Sequence, residues 1–399
     1  MKILVLNAGS STQKSCLYEI LNALPDTPPK PLWEAKIDWM QDAAMLSVTT
    51  QQGTSLEEQI LGGERQEGIG RMLATLYQGE TQVLSDLQEI DAVGHRIVHG
   101  GEKYREAVRV TPEVVEAIAS LIPLAPEHNP VNLEGIDAIS KVLPDVMQVA
   151  VFDTAFHATL PPAAAVYPIP YSFYEQGIRR YGFHGINHQY CRDRVAALQN
   201  RLPHRLITCH LGNGASLAAI RDGTCIDTTM GFTPLEGLMM GSRSGSIDPG
   251  ILIHLLRQGY DVERLNRLLN KESGLKGLSG VGNDLRQINR AIASGSDRAQ
   301  LALEVYLHSL QRHIGAMLVS LGGLDTLVFT GGVGENSPLV RRSACQALEF
   351  LGLQLNEAEN EARPIDRDIA SAESPVRVFV IRAREDWAIA QECWKINDE

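Results

Sequence analysis

A nearly continuous apolar run that ends in a turn of small residues and glycine occurs twice in this chain, half a chain apart. That recurrence constrains the fold more than any other feature. Lys2 to Leu6 (KILVL) runs into Asn7-Ala8-Gly9-Ser10-Ser11-Thr12. Leu206 to His210 (LITCH) runs into Leu211-Gly212-Asn213-Gly214-Ala215-Ser216, then a second apolar stretch, Leu217 to Ile220, and a turn at Arg221-Asp222-Gly223. Short apolar runs bounded by turn residues read as buried strands. The separation is too long for a solenoid, whose periods are roughly 20 to 50 residues, so the pattern predicts two duplicated domains. Length agrees: single cores stop growing at about 250 to 300 residues, and the chain has 399.

Further buried strands are expected at Ala92-Val93, Val146 to Phe152, Thr326 to Phe329 and Val376 to Ile381. Helices are expected at Pro112 to Ile122, Asp297 to Leu321 and Leu339 to Leu351. Strands alternating with helices indicate an α/β protein with mixed sheets. Pro25 to Pro31 reads as a rigid surface loop, and Gln51 to Gly70 carries no clear pattern. With 44% hydrophobic and 21% charged residues and no apolar run near the ~20 residues that span a bilayer, no membrane partner is expected. Ile3 to Leu6 is too short for a signal-peptide core of roughly 7 to 15 residues. Six scattered cysteines without a CxxC pair read as reduced thiols. A net charge of −12 argues against a nucleic-acid partner.

Two arginines stand among glycines: Arg96 in HRIVHGG and Arg243 in MGFTPLEGLMMGSRSGSIDPG. A planar guanidinium makes paired hydrogen bonds to a carboxylate or phosphoryl group, which suggests a clamp on small anions; ordinary surface ion pairs are the alternative. In NAGSST, backbone N–H groups, the hydroxyls of Ser10, Ser11 and Thr12, and Lys14 nearby could cradle a phosphate, or the segment could be a plain hairpin turn. It is not a Walker A loop. HLGNGAS and FTGGVGENS (Phe329 to Ser337) are two more glycine-containing loops after apolar strands, and the three together suggest a bound nucleotide. His95 and His99 are four apart, as are His184 and His188. Glycines in or beside both pairs make a helix improbable there, neither pair carries the glutamate of HExxH, and zinc is not expected. His184 and His210 fit either hydrogen-bond donation to transferring phosphoryl oxygens or satisfied structural histidines. Asp153, at the mouth of the strand VMQVAVF, is placed for ligand or Mg²⁺ contact or for helix capping, and position alone does not choose.

NAGSSTQK, HRIVHGG, VFDTAFH, RYGFHG, HLGNG, MGFTPLEGLMMGSRSGSIDPG and GGVGEN occur in that order over nearly the whole chain. Together they resemble the acetate and propionate kinase family. The resemblance implies a duplicated actin-like ATPase (ribonuclease H-like) fold, with mixed sheets around a central nucleotide cleft. Residues 1–152 plus 384–399 would form the N-terminal domain, and 153–383 the C-terminal domain with most of the nucleotide site. It implies a cytoplasmic homodimer that moves the γ-phosphoryl group of ATP directly and in line onto acetate, giving acetyl phosphate and ADP. Mg²⁺, with Mn²⁺ as a substitute, would accompany the nucleotide.

Carried over residue by residue, the resemblance implies metal contact by Asn7 and Glu385. ATP contact would come from Lys14, from His210, Leu211, Gly212, Asn213 and Gly214, from Asp284, Leu285 and Arg286, and from Gly332, Val333, Gly334, Glu335 and Asn336. Arg96 would bind the acyl substrate, and Asp153 would be the catalytic carboxylate. His184 and Arg243 would stabilise the transition state, while Val98, Phe183 and Pro234 would form the apolar pocket for the methyl group. Three positions depart from the family pattern: Glu127 in LAPEHNP stands where an apolar residue is frequent, and Thr12 replaces a frequent serine. RAREDWAIA (Arg382 to Ala390) is only loosely similar, so Glu385 and Asp386 compete for the metal-facing place. Two rivals are a propionate or butyrate kinase, differing in pocket volume, and a chaperone-like or filament-forming ATPase. The latter would need a further peptide-binding domain or polymerising insertions, for which 399 residues leave no separate room.

Overall fold

The computed structural model describes residues 1–9, 12–40, 43–61 and 65–397. The chain divides into two compact units, one formed by Met1–Phe156 with Arg384–Glu399 and the other by His157–Ala383. Ser10 and Ser11 lie outside the described residues.

In the first unit the strands are β1 (Lys2–Ala8), β2 (Thr12–Glu19), β3 (Trp33–Trp39), β4 (Ala43–Thr50), β5 (Ser55–Leu61), β6 (Ala92–Ile97), β7 (Val108–Arg109) and β8 (Met147–Phe152). Among the described residues they form one mixed sheet in the order β5-β4-β3-β2-β1-β6-β8-β7. β1 is central and covered on both faces, which is why its sequence is continuously apolar rather than alternating. Towards the edge the pattern changes: β4 buries alternate residues Ala44, Leu46 and Val48. β5 buries none and carries Glu57 and Glu58, charges that discourage pairing with another sheet edge. On one face, Leu4, Leu6, Trp33, Ile37 and Leu46 pack with Ile69, Met72 and Leu76 of helix α1 (Arg65–Tyr77) and with Ile139. Two more helices follow, α2 (Pro112–Ser120), capped by Thr111, and α3 (Asn129–Val142).

The second unit repeats this design. Its strands are β9 (Arg205–Leu211), β10 (Ala215–Arg221), β11 (Thr224–Thr228), β12 (Thr326–Thr330), β13 (Arg367–Asp368) and β14 (Arg377–Val380), in the order β11-β10-β9-β12-β14-β13. β9 pairs antiparallel with β10 and parallel with β12, and β12 pairs parallel with β14. β1 likewise pairs antiparallel with β2 and parallel with β6, and β6 pairs parallel with β8. Order and sense therefore coincide over six strands of each sheet, from β3 to β7 and from β11 to β13. The two apolar runs noted in the sequence are the equivalent central strands β1 and β9, so the duplicated α/β reading holds.

Helices of this unit that matter for the site are α4 (Gly185–Gln199), α5 (Pro249–Arg257), α6 (Leu285–Ala293), α7 (Asp297–Leu321), α8 (Gly331–Asn336) and α9 (Pro338–Gln346). α7 has the expected bounds, whereas the run expected from Leu339 to Leu351 splits into α9 and a single 3₁₀ turn at Glu349–Leu351. GGVGEN is a correction: it folds as the short helix α8 rather than as a loop. The featureless stretch from Gln51 to Gly70 holds β5 and the start of α1. Among the described residues no helix is long and apolar enough to cross a membrane.

The chain returns to the first unit in α10 (Glu385–Asn397), which packs against β1, β6 and β8. Contact is close enough that a side chain at Gly94 would put its Cβ 2.5 Å from Ile389 Cγ2 and 2.7 Å from Cys393 Sγ. Gly94→Ala should therefore push α10 off the sheet and cost about 1 to 3 kcal/mol, the usual range for overpacking. Because α10 begins at Glu385, the ATP-dependent phosphoryl transfer that the sequence resemblance implies should fall with it. Thermal unfolding together with a phosphoryl-transfer assay checks both effects; an unchanged melting temperature would contradict the packing argument.

Candidate active site

At the open ends of β1, β6 and β8 the first unit gathers four polar side chains. Arg96, near the end of β6, donates from Nη2 to Asp153 Oδ2 and from Nη1 to Asn7 Oδ1 at 3.4 Å. Asn7 Nδ2 in turn donates to Glu385 Oε2 at 3.2 Å. Burial alone would lower the Arg96 pKa, but the Asp153 and Glu385 carboxylates more than offset it and hold the guanidinium above its ordinary value. Asp153 itself is fully buried. The Nε–H of Arg96 is buried with no hydrogen-bond partner among the described residues, and a donor in that state calls for a water, an ion or a ligand to meet it.

Two buried asparagines hold this cluster's backbone. Asn132 accepts from Val98 N at 3.1 Å and donates to Ala8 O at 3.3 Å, which ties the ends of β1 and β6 together. Asn129 accepts from His99 N and donates to His99 O, each at 3.3 Å. The structure also separates the two adjacent acids of α10. Asp386 turns inward and accepts from Tyr18 OH and, at 3.4 Å, from Cys16 Sγ, while Glu385 faces Asn7. Burial, then the Asp386 charge, pushes the Tyr18 phenol up, so it stays a donor.

Thr12 spends its hydroxyl on Asp38 Oδ1 at 3.0 Å, against the expectation of an anion donor. Lys14 is exposed on β2 opposite Asn7 in register. Val98 is buried beside Arg96, and Glu127 is exposed just before α3. His95 and His99 lie on β6 and the turn after it, their ring nitrogens meeting Gln148 Oε1 at 2.9 Å and Gly101 N at 3.0 Å. Burial lowers both to about 4, so both are neutral near pH 7.

The second unit contains a cavity of about 800 Å³ lined by Gly212, Asn213, Asn283, Asp284, Leu285, Arg286, Asn289, Gly332, Val333, Asn336, Ser337 and Arg363. That lies in the roughly 300 to 1,000 Å³ range of small-molecule sites. Three expected segments converge on it: the turn between β9 and β10, the start of α6 and the helix α8. Asp284 caps α6 by accepting from Arg286 N at 2.8 Å, and paired bonds from the Arg286 side chain hold its carboxyl below the ordinary value. Asn283 Nδ2 donates to Asn213 Oδ1 at 3.0 Å and links two of the segments.

Not every expected residue lines the cavity. Leu211 is buried on β9. Glu335 accepts from Gly331 N at 3.0 Å and Ala383 N at 2.9 Å, fixing the start of its own helix. The Gly334 and Glu335 carbonyls accept from Arg341, at 2.8 and 2.9 Å, and this fully buried arginine also donates to Asn360. Sequence reasoning missed Asn283, Asn289, Ser337, Arg363 and Arg341. Nothing local distinguishes them from surface polar residues, and Arg341 acts from a neighbouring helix.

Beside the Gly212–Gly214 turn, His184 and Arg243 come together. A Cβ added to Gly214 would lie 3.5 Å from Arg243 Nη1 and 3.5 Å from His184 Nε2, in van der Waals contact with both side chains. Arg243 Nη1 also donates to Pro234 O at 3.3 Å. His184 has φ 58°, an unusual left-handed conformation for a residue with a side chain, of the kind that clusters at functional sites. Its ring stacks on that of His210 with centroids 4.1 Å apart. Phe183 is buried, and its carbonyl meets His157 Nε2 at 3.0 Å.

The expectation that glycine keeps His184 and His188 out of a helix is wrong. His184 is the N-cap of α4, and His188 N donates to His184 O at 2.9 Å in the helix's first turn. A glycine at the first helical position avoids the penalty it carries in a helix interior. The two rings share one face, but both reach the Ser216 hydroxyl.

The sequence profile of the acetokinase family matches residues 2–391. The chain belongs to that family. It is 61% identical over 402 residues to the acetate kinase of Nostoc punctiforme, with 99% of each chain covered. Among solved structures, Porphyromonas gingivalis acetate kinase matches at 40% identity with a TM-score of 0.92, covering 99% of both chains. A propionate kinase from Francisella tularensis subsp. tularensis matches at 35% identity with a TM-score of 0.90 and the same coverage.

Proposed function

We propose that this acetokinase-family chain transfers the γ-phosphoryl group of ATP to acetate, reversibly, giving acetyl phosphate and ADP. The full-length 61% identity to a curated acetate kinase carries this reading, and the side-chain geometry supplies the parts. Acetate is ionised at pH 7, its pKa lying near that of a free carboxyl side chain, so the nucleophile needs no general base. Catalysis then rests on position and charge. Arg96, aligned by Asp153, holds the substrate carboxylate. His184 and Arg243 donate to the equatorial oxygens of the phosphoryl group as charge spreads over them. The cavity lined by Gly212, Asp284 and Gly332 takes the nucleotide, with Arg286 and Arg363 as its cations.

Mg²⁺ fits the donor set of the first unit. Among the described residues no group of three or more His, Cys, Asp or Glu side chains could cage a metal, and Mg²⁺ commonly takes one or two protein oxygens and completes its shell with water and substrate phosphates. Asn7 and Glu385 would hold it, and its charge would offset that of the β and γ phosphates. For the homodimer, α5 offers an apolar surface: it buries no residue, and Ile251, Ile253 and Leu256 are 45%, 53% and 47% exposed.

ATP formation from ADP and a panel of acyl phosphates tests the reading and its nearest rival together. Val98 next to Arg96 limits the space beyond a methyl group, so turnover should be highest for acetyl, lower for propionyl and poor for butyryl phosphate. One methylene is worth only about 1 to 3 kcal/mol in such a pocket. Val98→Ala should lower the KM for propionate relative to acetate. A preference of the unaltered chain for the four-carbon substrate would reject acetate as the substrate.

A further inference from the structure

Behind His184 lie three fully buried polar side chains, Ser216 on β10, His188 on α4 and Thr208 on β9. Ser216 Oγ is 2.9 Å from His184 Nδ1 and 2.7 Å from His188 Nε2, and Thr208 Oγ1 is 2.6 Å from His188 Nδ1. Among the described residues, neither hydroxyl makes another hydrogen bond.

Counting hydrogens gives this row a direction. A buried O–H with no acceptor is worse than a hydroxyl lone pair with no donor, because only the former strands a polar hydrogen away from water. Thr208 has one neighbour able to accept its hydrogen, His188 Nδ1. Burial, helped by the neighbouring His157 and His210 rings, holds His188 well below its ordinary pKa, so the ring carries one hydrogen. With Nδ1 accepting, that hydrogen sits on Nε2 and is donated to Ser216 Oγ. The Ser216 hydrogen is then left for His184 Nδ1.

We propose that Thr208, His188 and Ser216 form a one-directional hydrogen-bond chain that fixes His184 in the tautomer with its hydrogen on Nε2. That edge faces Gly214 beside Arg243 Nη1. The opposite tautomer would present a lone pair to an anionic phosphoryl oxygen and repel it, whereas the fixed one presents a donor. The three residues touch no reacting atom and act through His184 as positioning residues. The inference rests on the reading that His184 donates to the transferring phosphoryl group.

Ring-nitrogen ¹⁵N shifts of the full chain labelled at histidine test it directly, with resonances assigned from His184→Gln and His188→Gln variants. Near pH 7 without substrate, both His184 and His188 should carry hydrogen on Nε2 and none on Nδ1. A His184 ring with its hydrogen on Nδ1, or exchanging between both, overturns the proposal. In the acetate and ATP assay, Ser216→Ala and the isosteric Thr208→Val should lower kcat on the order of 10- to 100-fold, the scale on which loss of a partner that orients a functional imidazole acts. KM for both substrates should stay within about twofold, because ground-state binding is untouched. Thr208→Ser, which keeps the hydroxyl and loses the methyl, should restore kcat. Equal kcat for Thr208→Val and Thr208→Ser would reject the chain as a hydrogen-bond device. An unaltered enzyme that does not phosphorylate acetate would remove the functional reading, while the tautomer measurement would still decide the geometry.

Discussion

Arg96→Ala and Arg243→Ala should each cost at least about 2 to 4 kcal/mol in kcat/KM for acetate and ATP, the range for removing a preorganised electrostatic donor. At 1.36 kcal/mol per factor of ten, that is a loss of roughly 30- to 1,000-fold. The two variants should differ in stability. Arg96 is paired with the fully buried Asp153, and truncating it leaves that carboxylate without its cation. Breaking a buried pair in this way costs about 3 to 5 kcal/mol, so Arg96→Ala should also melt at a markedly lower temperature. Arg243 is half-buried, and water can replace it at the edge of the Gly212–Gly214 turn. Its variant should keep the fold and lose the chemistry. Steady-state kinetics with thermal unfolding of both variants checks the pair; near-native kcat/KM in both would end the argument that these arginines clamp anions.

Much of the fold was legible because it rests on short-range signals. The apolar runs of β1, β9, β12 and β14 lie in sheet centres, where both faces are covered and the sequence is continuously hydrophobic. β3 to β5 escaped notice for the opposite reason. They alternate, as in the pattern of β4, or bury nothing, as in β5, and such strands resemble polar surface until their neighbours are known. The helix at Gly185 was misread because glycine was weighed by its average helix propensity. That average is measured in helix interiors and does not apply at the first helical position.

The candidate site divides in the same way. Arg96 was visible because its charge sits among glycines, Gly212 and Gly332 because glycine follows an apolar strand, and Asp153 because it stands at the mouth of one. Asn129, Asn132, Arg341, Thr208 and His188 act by holding other residues in place, and their partners are far away in the chain: Asn132 joins Ala8 to Val98, and Arg341 joins α8 to Asn360. No local pattern encodes such a pairing. Adjacent acids likewise give no local sign of which one meets Asn7, and that is set by the direction in which α10 presents each side chain.

Asp153→Asn should be severely impaired, by about 100-fold or more in kcat on the scale of a lost preorganised charge, at every pH from roughly 6 to 9. Two roles for this carboxylate make opposite forecasts. A general base must lose a proton within the assay range, so a substitution would be partly rescued at high pH, where solvent base is more abundant. An aligning carboxylate has no such dependence, because acetate is already charged and the defect lies in where Arg96 points. The geometry favours alignment: Asp153 Oδ2 is engaged by Arg96 Nη2, and Arg96 is held above its ordinary pKa, so the guanidinium stays charged throughout the range and adds no pH dependence of its own. Asn7, which accepts from the same guanidinium and donates to Glu385, would shift with it, so the Mg²⁺ dependence should change as well. ATP affinity should persist, since the cavity proposed for the nucleotide is lined only by residues of the other unit. Activity that returns as pH rises, with Mg²⁺ dependence unaltered, would make Asp153 a proton acceptor and reject the aligning role.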